Sequence, residues 1–225
     1  MRRILAIIPF VVDRELADEH LRTLEIQSQR DTTITIAHLN KGPKISDYGK
    51  EGFQHGVSET VEIVVSNQSR YDGILISCFE DPGVHEARAI ATIPVVGPGE
   101  SSMIMASRLA NKFNIISPDE PAERILRGMA KSMGLEDQFG VFELISTDVS
   151  EFNDQSNTVV SEVASAIRRA EEKCQNAVNI LGCTGFADIQ NDIADSVDVP
   201  ILDSVTASIS MLESLIDVSS RGEPE

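Results

Sequence analysis

The sequence predicts an α/β protein built from two similar parallel-sheet domains, and three observations carry that prediction. Short apolar, β-branched runs alternate with helical patterns along the chain, the rhythm of βαβ units. The runs are continuous rather than alternating in polarity, as strands covered on both faces must be. The chain also reads as duplicated. Cys78 follows Gly73-Ile74-Leu75-Ile76-Ser77, and Cys183 follows Ala177-Val178-Asn179-Ile180-Leu181-Gly182. Each is followed by turn-forming residues, a helical stretch and a proline-led apolar pair. Pro94 lies 16 residues after Cys78, and Pro200 lies 17 residues after Cys183.

Taken in order, the predicted strands cover 4–9, 33–38, 73–77, 94–96, 113–117, 140–145, 177–181 and 200–202. The stretches 14–30, 54–69, 121–133 and 158–174 read as helices between them, and a further helix starts near Val84. Gly97-Pro98-Gly99 is the best boundary signal. It divides a first domain, 1–98 plus 204–225, from a second, 99–203. The last helix, 205–216, folds back onto the first domain. The two domains are expected to be related by pseudo-two-fold symmetry. Ligands of open parallel sheets bind beyond the carboxyl ends of the strands. Both cysteines lie at such ends, so the expected site is the cleft between the domains.

Composition narrows the function. The 225 residues are 41% hydrophobic and carry a net charge of −17. Phosphate binding needs clustered Lys and Arg, so neither nucleic acid nor an anionic membrane is an expected partner. A small molecule is, together with a homo-oligomeric state. Aromatic residues make up 4% and Trp is absent, which leaves few stacking platforms. Met1-Arg2-Arg3 and the apolar run after it resemble the front of a signal peptide. The run stops at Asp13-Arg14-Glu15 without a small-residue cleavage site, so it reads as a first buried strand. Three cysteines without a CxxC suggest neither a disulfide framework nor a zinc ribbon, and a cytoplasmic location follows.

Two thiols at matched strand ends are the candidate chemistry. One can remove a proton from a carbon while the other returns a proton to the opposite face. Around Cys78, the Asp81-Pro82-Gly83 turn and the helix that follows place the sulfur near backbone N–H groups that favour a thiolate. Gly182 and Gly185 let backbone approach a ligand, and Thr184 offers a hydroxyl and an N–H. Cys174, at a charged helix end, reads as structural or incidental. Asp81, His85 and Glu86 with Cys78 do not complete a metal site. His20, His38 and His55 are isolated and read as solvated or capping residues. Gly97-Pro98-Gly99 lacks any phosphate-loop pattern. No cofactor is expected.

The segments Asp72-Gly73-Ile74-Leu75-Ile76-Ser77-Cys78-Phe79-Glu80-Asp81-Pro82-Gly83, Ile93-Pro94-Val95-Val96-Gly97-Pro98-Gly99-Glu100 and Leu181-Gly182-Cys183-Thr184-Gly185 resemble the aspartate/glutamate/hydantoin racemase superfamily. The likeness is strongest to its hydantoin branch, which includes allantoin racemases. It implies cofactor-independent inversion at the Cα of a 5-substituted hydantoin or related cyclic ureide, with Cys78 and Cys183 as the two bases. It also implies Pro9, Phe10, Ser77, Phe79, Glu80, Ser117, Gly182, Thr184 and Gly185 as substrate-binding residues. Amino-acid racemases of the superfamily place Asn-Thr after the first cysteine, where this chain has Phe79-Glu80. Its arylmalonate decarboxylases keep only the second cysteine. The hydantoin branch carries an Asn-Pro-Asn loop after the first strand. Here the loop reads Ile8-Pro9-Phe10-Val11-Val12, which favours a more apolar substituent. A maleate-type isomerase, an amino-acid racemase and a non-catalytic small-molecule binder on the same scaffold are the alternatives.

Overall fold

The structure is a computed structural model and describes residues 1–44, 56–152 and 156–220. In chain order the elements are β1 (Arg2–Ile8), α1 (Arg14–Gln27), β2 (Thr32–His38), α2 (Val57–Asn67), β3 (Gly73–Ile76), α3 (Val84–Ile90), β4 (Val95–Val96), α4 (Pro98–Leu109), β5 (Phe113–Ser117), α5 (Ala122–Ser132), β6 (Phe139–Leu144), α6 (Ser156–Lys173), β7 (Val178–Leu181), α7 (Gln190–Asp195), β8 (Ile201–Asp203) and α8 (Ser204–Ser220). The chain forms two compact units, Met1–Pro98 with Val205–Glu225, and Gly99–Ser204.

Each unit holds one four-stranded sheet, and every pairing is parallel. The strand order is β2-β1-β3-β4 in the first and β6-β5-β7-β8 in the second, so the topology is the same twice. The register agrees residue by residue. Ile7 pairs with Ile76 in one unit, and Ile116 pairs with Leu181 in the other. One residue on, Ser77 N–H donates to the Ile7 carbonyl at 2.8 Å and Gly182 N–H donates to the Ile116 carbonyl at 2.7 Å. Ile74 N–H donates to Pro94 O, and Asn179 N–H donates to Pro200 O. Ser77 is therefore the counterpart of Gly182, Cys78 of Cys183, and Pro94 of Pro200.

The strands are apolar throughout because helices cover them. In the first unit Leu5, Ile7, Ile74, Ile76 and Val95 pack with Val64, Val84 and Ala87 from α2 and α3. In the second, Ile116 and Leu181 pack with Val159, Val163, Ala166 and Ile167 of α6, and with Phe152, Phe186 and Ile193. Each such side chain, taken fully out of water, contributes about 1.5–3 kcal/mol. Helix α8 closes the first unit. Gly73 lacks a side chain where Leu212 and Ile216 press against the strand. The carboxylate of Glu213, 2% exposed, accepts from Gln29 N–H at 2.9 Å and from the Thr32 hydroxyl. Arg2 donates to both oxygens of Asp217, at 2.8 and 2.7 Å.

One helix boundary departs from expectation. Helix α1 ends at Gln27 rather than residue 30, because Ser28 turns out of the helix and Thr32 N–H closes a turn onto Gln29 O. At its start, Leu16 N–H donates to the Asp13 carboxylate at 3.0 Å. The chain divides into its two units between Pro98 and Gly99, and Pro98 is also the first residue of α4. Proline is well suited to the first helical position, where its missing N–H costs nothing and its φ is preset. The start of the helix predicted over 54–69 lies partly outside the described residues, as does His55. Among the described residues, no helix is long and apolar enough to cross a membrane.

Buried carboxylates make the fold acid-sensitive. Burial raises the pKa of Glu143, but Lys173 and Arg169, bonded to it at 2.5 and 2.9 Å, outweigh that and lower it below 4.5. At Glu162 burial is likewise outweighed, by the Thr147 and Ser146 N–H groups and the Thr147 hydroxyl. Carboxylates with depressed folded-state pKa values stabilise above their unfolded pKa, and that contribution disappears as pH falls through the folded value. We expect Tm to be level near neutrality and to fall as the pH drops below about 4.5. Glu143→Gln should lower stability near neutrality by about 1–2 kcal/mol, given that Arg169 and Lys173 are half-exposed and screened. It should also flatten the acid limb of a Tm-versus-pH series.

Candidate active site

In the first unit the site residues gather where β1 and β3, neighbours in the sheet, end side by side. Pro9 and Phe10 follow β1. Ser77, Cys78, Phe79 and Glu80 follow β3. All six are buried. Cys78 begins a tight turn: its N–H donates to Ile76 O at 3.0 Å, and its carbonyl accepts from Asp81 N–H at 2.9 Å. Val84 N–H then donates to Asp81 O, which starts α3. The expected helix after Cys78 is present, separated from it by this turn. The thiol rests on an apolar platform of Ile8, Phe10 and Ala17, with Val12, Leu16 and Ile36 beside it. Phe10 is thus beside the cysteine. Val11 bonds away from it, its N–H donating to Pro43 O.

The second unit repeats the plan at the ends of β5 and β7. Ser117 ends β5, buried, with its hydroxyl accepting from Asp119 N–H at 3.2 Å. Gly182 and Cys183 follow β7, and Thr184–Phe186 form a single 3₁₀ turn directly after the thiol. Cys183 is half-buried and packs against the core cluster that contains Phe152 and Phe186. Those two rings stack at 5.1 Å. A Cβ at Gly185 would lie 3.1 Å from the Phe152 ring, a contact that asks the ring to give by a few tenths of an ångström, and in ordinary contact, 3.6 Å, with Cys183 Sγ.

One reading is corrected. His20 is neither isolated nor simply solvated: its Nε2 and the Ser77 hydroxyl share a hydrogen bond of 2.7 Å. Helix α1 thereby reaches the residue next to Cys78 at two points, through Ala17 in the apolar platform and through His20 on the serine. His38 bonds to Leu39 O through Nδ1. His85 and Glu86 are exposed while Asp81 is buried. Among the described residues no three His, Cys, Asp or Glu side chains converge as a metal would require. Cys174 closes the end of α6, its N–H donating to Ala170 O, and its sulfur lies beside Gly140.

The doubly built parallel α/β fold is shared with solved racemase structures. The structure matches allantoin racemase from Klebsiella pneumoniae with a TM-score of 0.86 at 25% identity, covering 97% of this chain and 89% of that one. It matches glutamate racemase from Francisella tularensis with a TM-score of 0.70 at 19% identity, covering 97% and 82%, a likeness of fold. The family model described as Asp/Glu/Hydantoin racemase matches residues 16–212, and the chain belongs to that family. It is an isomerase of the racemase type, similar to the hydantoin branch. The hydantoin racemase of Pseudomonas sp. (strain NS671) is 28% identical over 196 residues, 86% of this chain and 78% of that protein.

The His20–Ser77 bond is testable on its own. His20→Phe keeps the volume and removes the polar partner, and should cost about 1 kcal/mol in urea unfolding. The double variant with Ser77→Ala should be little worse than either single variant, because the two changes remove one shared interaction. Fully additive losses would show that the bond contributes nothing.

Proposed function

We propose that this protein is a cofactor-independent racemase of 5-substituted hydantoins or closely related cyclic ureides, with Cys78 and Cys183 as its two bases. The observation that carries the reading is the register: the two thiols occupy the same position just beyond β3 and β7 of two sheets with one topology. Family membership supports the same chemistry. A thiol at one such address alone would more simply be a small buried hydrophobe.

In the proposed reaction one cysteine is a thiolate and the other a thiol. The thiolate takes the Cα proton, so the C–H bond breaks and an S–H bond forms. The electron pair left on carbon delocalises into the adjacent ring carbonyl as an enolate. The second cysteine gives its proton to the opposite face of that carbon, restoring a C–H bond and becoming the thiolate. Charge is unchanged, and the two sulfurs exchange roles with substrate handedness. Backbone N–H groups at the turns after each cysteine stabilise the enolate oxygen. Pro9, Phe10, Ser77, Phe79 and Glu80 of the first unit, and Ser117, Gly182, Thr184 and Gly185 of the second, are the substrate-binding residues of this reading.

Replacing Cys78 or Cys183 by Ser should abolish racemisation, because a serine hydroxyl is a far weaker base at neutral pH. Each single variant should retain solvent deuterium exchange at Cα for one enantiomer only, read by NMR. Near wild-type racemisation in both variants would sink the two-base reading. Cys174→Ser should leave kcat/KM unchanged.

Phe10 against the Cys78 platform sets an expectation for the substituent. An apolar 5-substituent buried beside it would gain about 1.5–3 kcal/mol, whereas a ureido group there would lose its hydrogen bonds to water. kcat/KM for 5-benzyl- or 5-isobutylhydantoin should therefore exceed that for allantoin. A clear preference for allantoin would mean that Phe10 does not meet the substituent. Turnover of maleate or of free amino acids, with none of hydantoins, would replace the hydantoin reading altogether.

A further inference from the structure

The turn after Cys78 holds a backbone conformation that the proton-transfer scheme does not use. Asp81 has φ of 54°, in the left-handed region, where side chains other than glycine are strained and Asp and Asn are the commonest exceptions. Two residues later the chain meets the same demand with a glycine, Gly83 at φ 81°. A glycine at 81 would satisfy the backbone equally well, so what the aspartate adds is its carboxylate. That carboxylate lies on Gly97, just past the end of β4. A Cβ at residue 97 would overlap Asp81 Oδ1 and Cγ and sit 2.9 Å from Oδ2. Gly97 is itself not among the glycines with positive φ. Its missing side chain serves the close approach rather than its own backbone.

We propose that Asp81 is a positioning residue for Cys78: its carboxylate, seated where Gly97 has no side chain, latches the turn that follows β3 to the end of the neighbouring strand β4. The latch reaches the cysteine directly, because Asp81 N–H donates to the Cys78 carbonyl at 2.9 Å. Strain at residue 81 is held in place by the fit at residue 97, and the thiol is held in turn. The inference rests on the reading of Cys78 as one of the two bases.

A double-mutant cycle tests it, using Gly97→Ala, Asp81→Gly and the two combined. Two readouts are taken: kcat and KM for Cα exchange, and the rate at which iodoacetamide alkylates Cys78 in a Cys174→Ser/Cys183→Ser background. Gly97→Ala and Asp81→Gly should each lower kcat by about 100-fold with KM nearly unchanged, the effect of displacing a reacting group by about 1 Å. Each should speed alkylation of the buried thiol by about tenfold, as the turn opens. With Asp81→Gly already present, Gly97→Ala should add almost nothing, since no carboxylate remains to be displaced. Equal effects of Gly97→Ala in both backgrounds, or wild-type kcat and alkylation in Asp81→Gly, would overturn the latch. If Gly97→Ala alone does not fold, recovery of folded protein in the combined variant supports it, and failure to recover overturns it. Alkylation needs no substrate. A chain that inverts no hydantoin would defeat the functional proposal while leaving the latch to be decided by the thiol.

Discussion

Everything at the two thiols depends on one strand pairing in each unit, β1 with β3 and β5 with β7. Parallel strands exchange evenly spaced hydrogen bonds, so a shift of one residue turns every side chain to the other face. The apolar residues of β3 and β7 are buried on both faces, which removes the usual signal of which face is which. The register is instead pinned at the strand ends, by Ser77 N–H on Ile7 O and Gly182 N–H on Ile116 O. Immediately beyond those bonds the sheet stops and a cysteine follows. Two independent ladders thus deliver a sulfur to the same place in each unit.

The surroundings of the sulfurs are not duplicated. Cys78 is enclosed by aliphatic and aromatic side chains from β1, α1 and the loop after β1, and its turn carries left-handed residues at 81 and 83. Cys183 is more open, is followed by a single 3₁₀ turn, and is backed by the Phe152–Phe186 stack. A duplicated scaffold therefore carries two differently built sites. In the two-base reaction proposed above, such asymmetry would suit groups that act on opposite faces of one carbon, because the substrate offers a different environment to each.

What was legible in the sequence was what is local or repeated. The eight strands, the helix after each cysteine and the matched Cys-to-Pro spacing depend on short windows and on comparing the chain with itself. Gly97-Pro98-Gly99 announces a break in the chain, but nothing nearby in sequence says that its proline will also sit at the first position of α4. The His20–Ser77 bond joins residues 57 apart, and neither residue type demands the other. The left-handed φ at Asp81 and its fit onto Gly97 were hidden for the same reason. Asp-Pro-Gly announces a turn, but where the carboxylate goes is decided by the strand next to it.

Helix α8 makes the first unit discontinuous, since its strands come from residues before 98 and its closing helix from residues after 204. The second unit is one unbroken stretch. On the ribosome the second unit can therefore complete its core while the first still has an uncovered sheet face at Gly73, waiting for Leu212 and Ile216. Strand β1 precedes the rest of its sheet and is finished only when Arg2 meets Asp217. Native closure of the first unit is thus a late, long-range event, and a chain released short of α8 would present a bare apolar sheet to the cell.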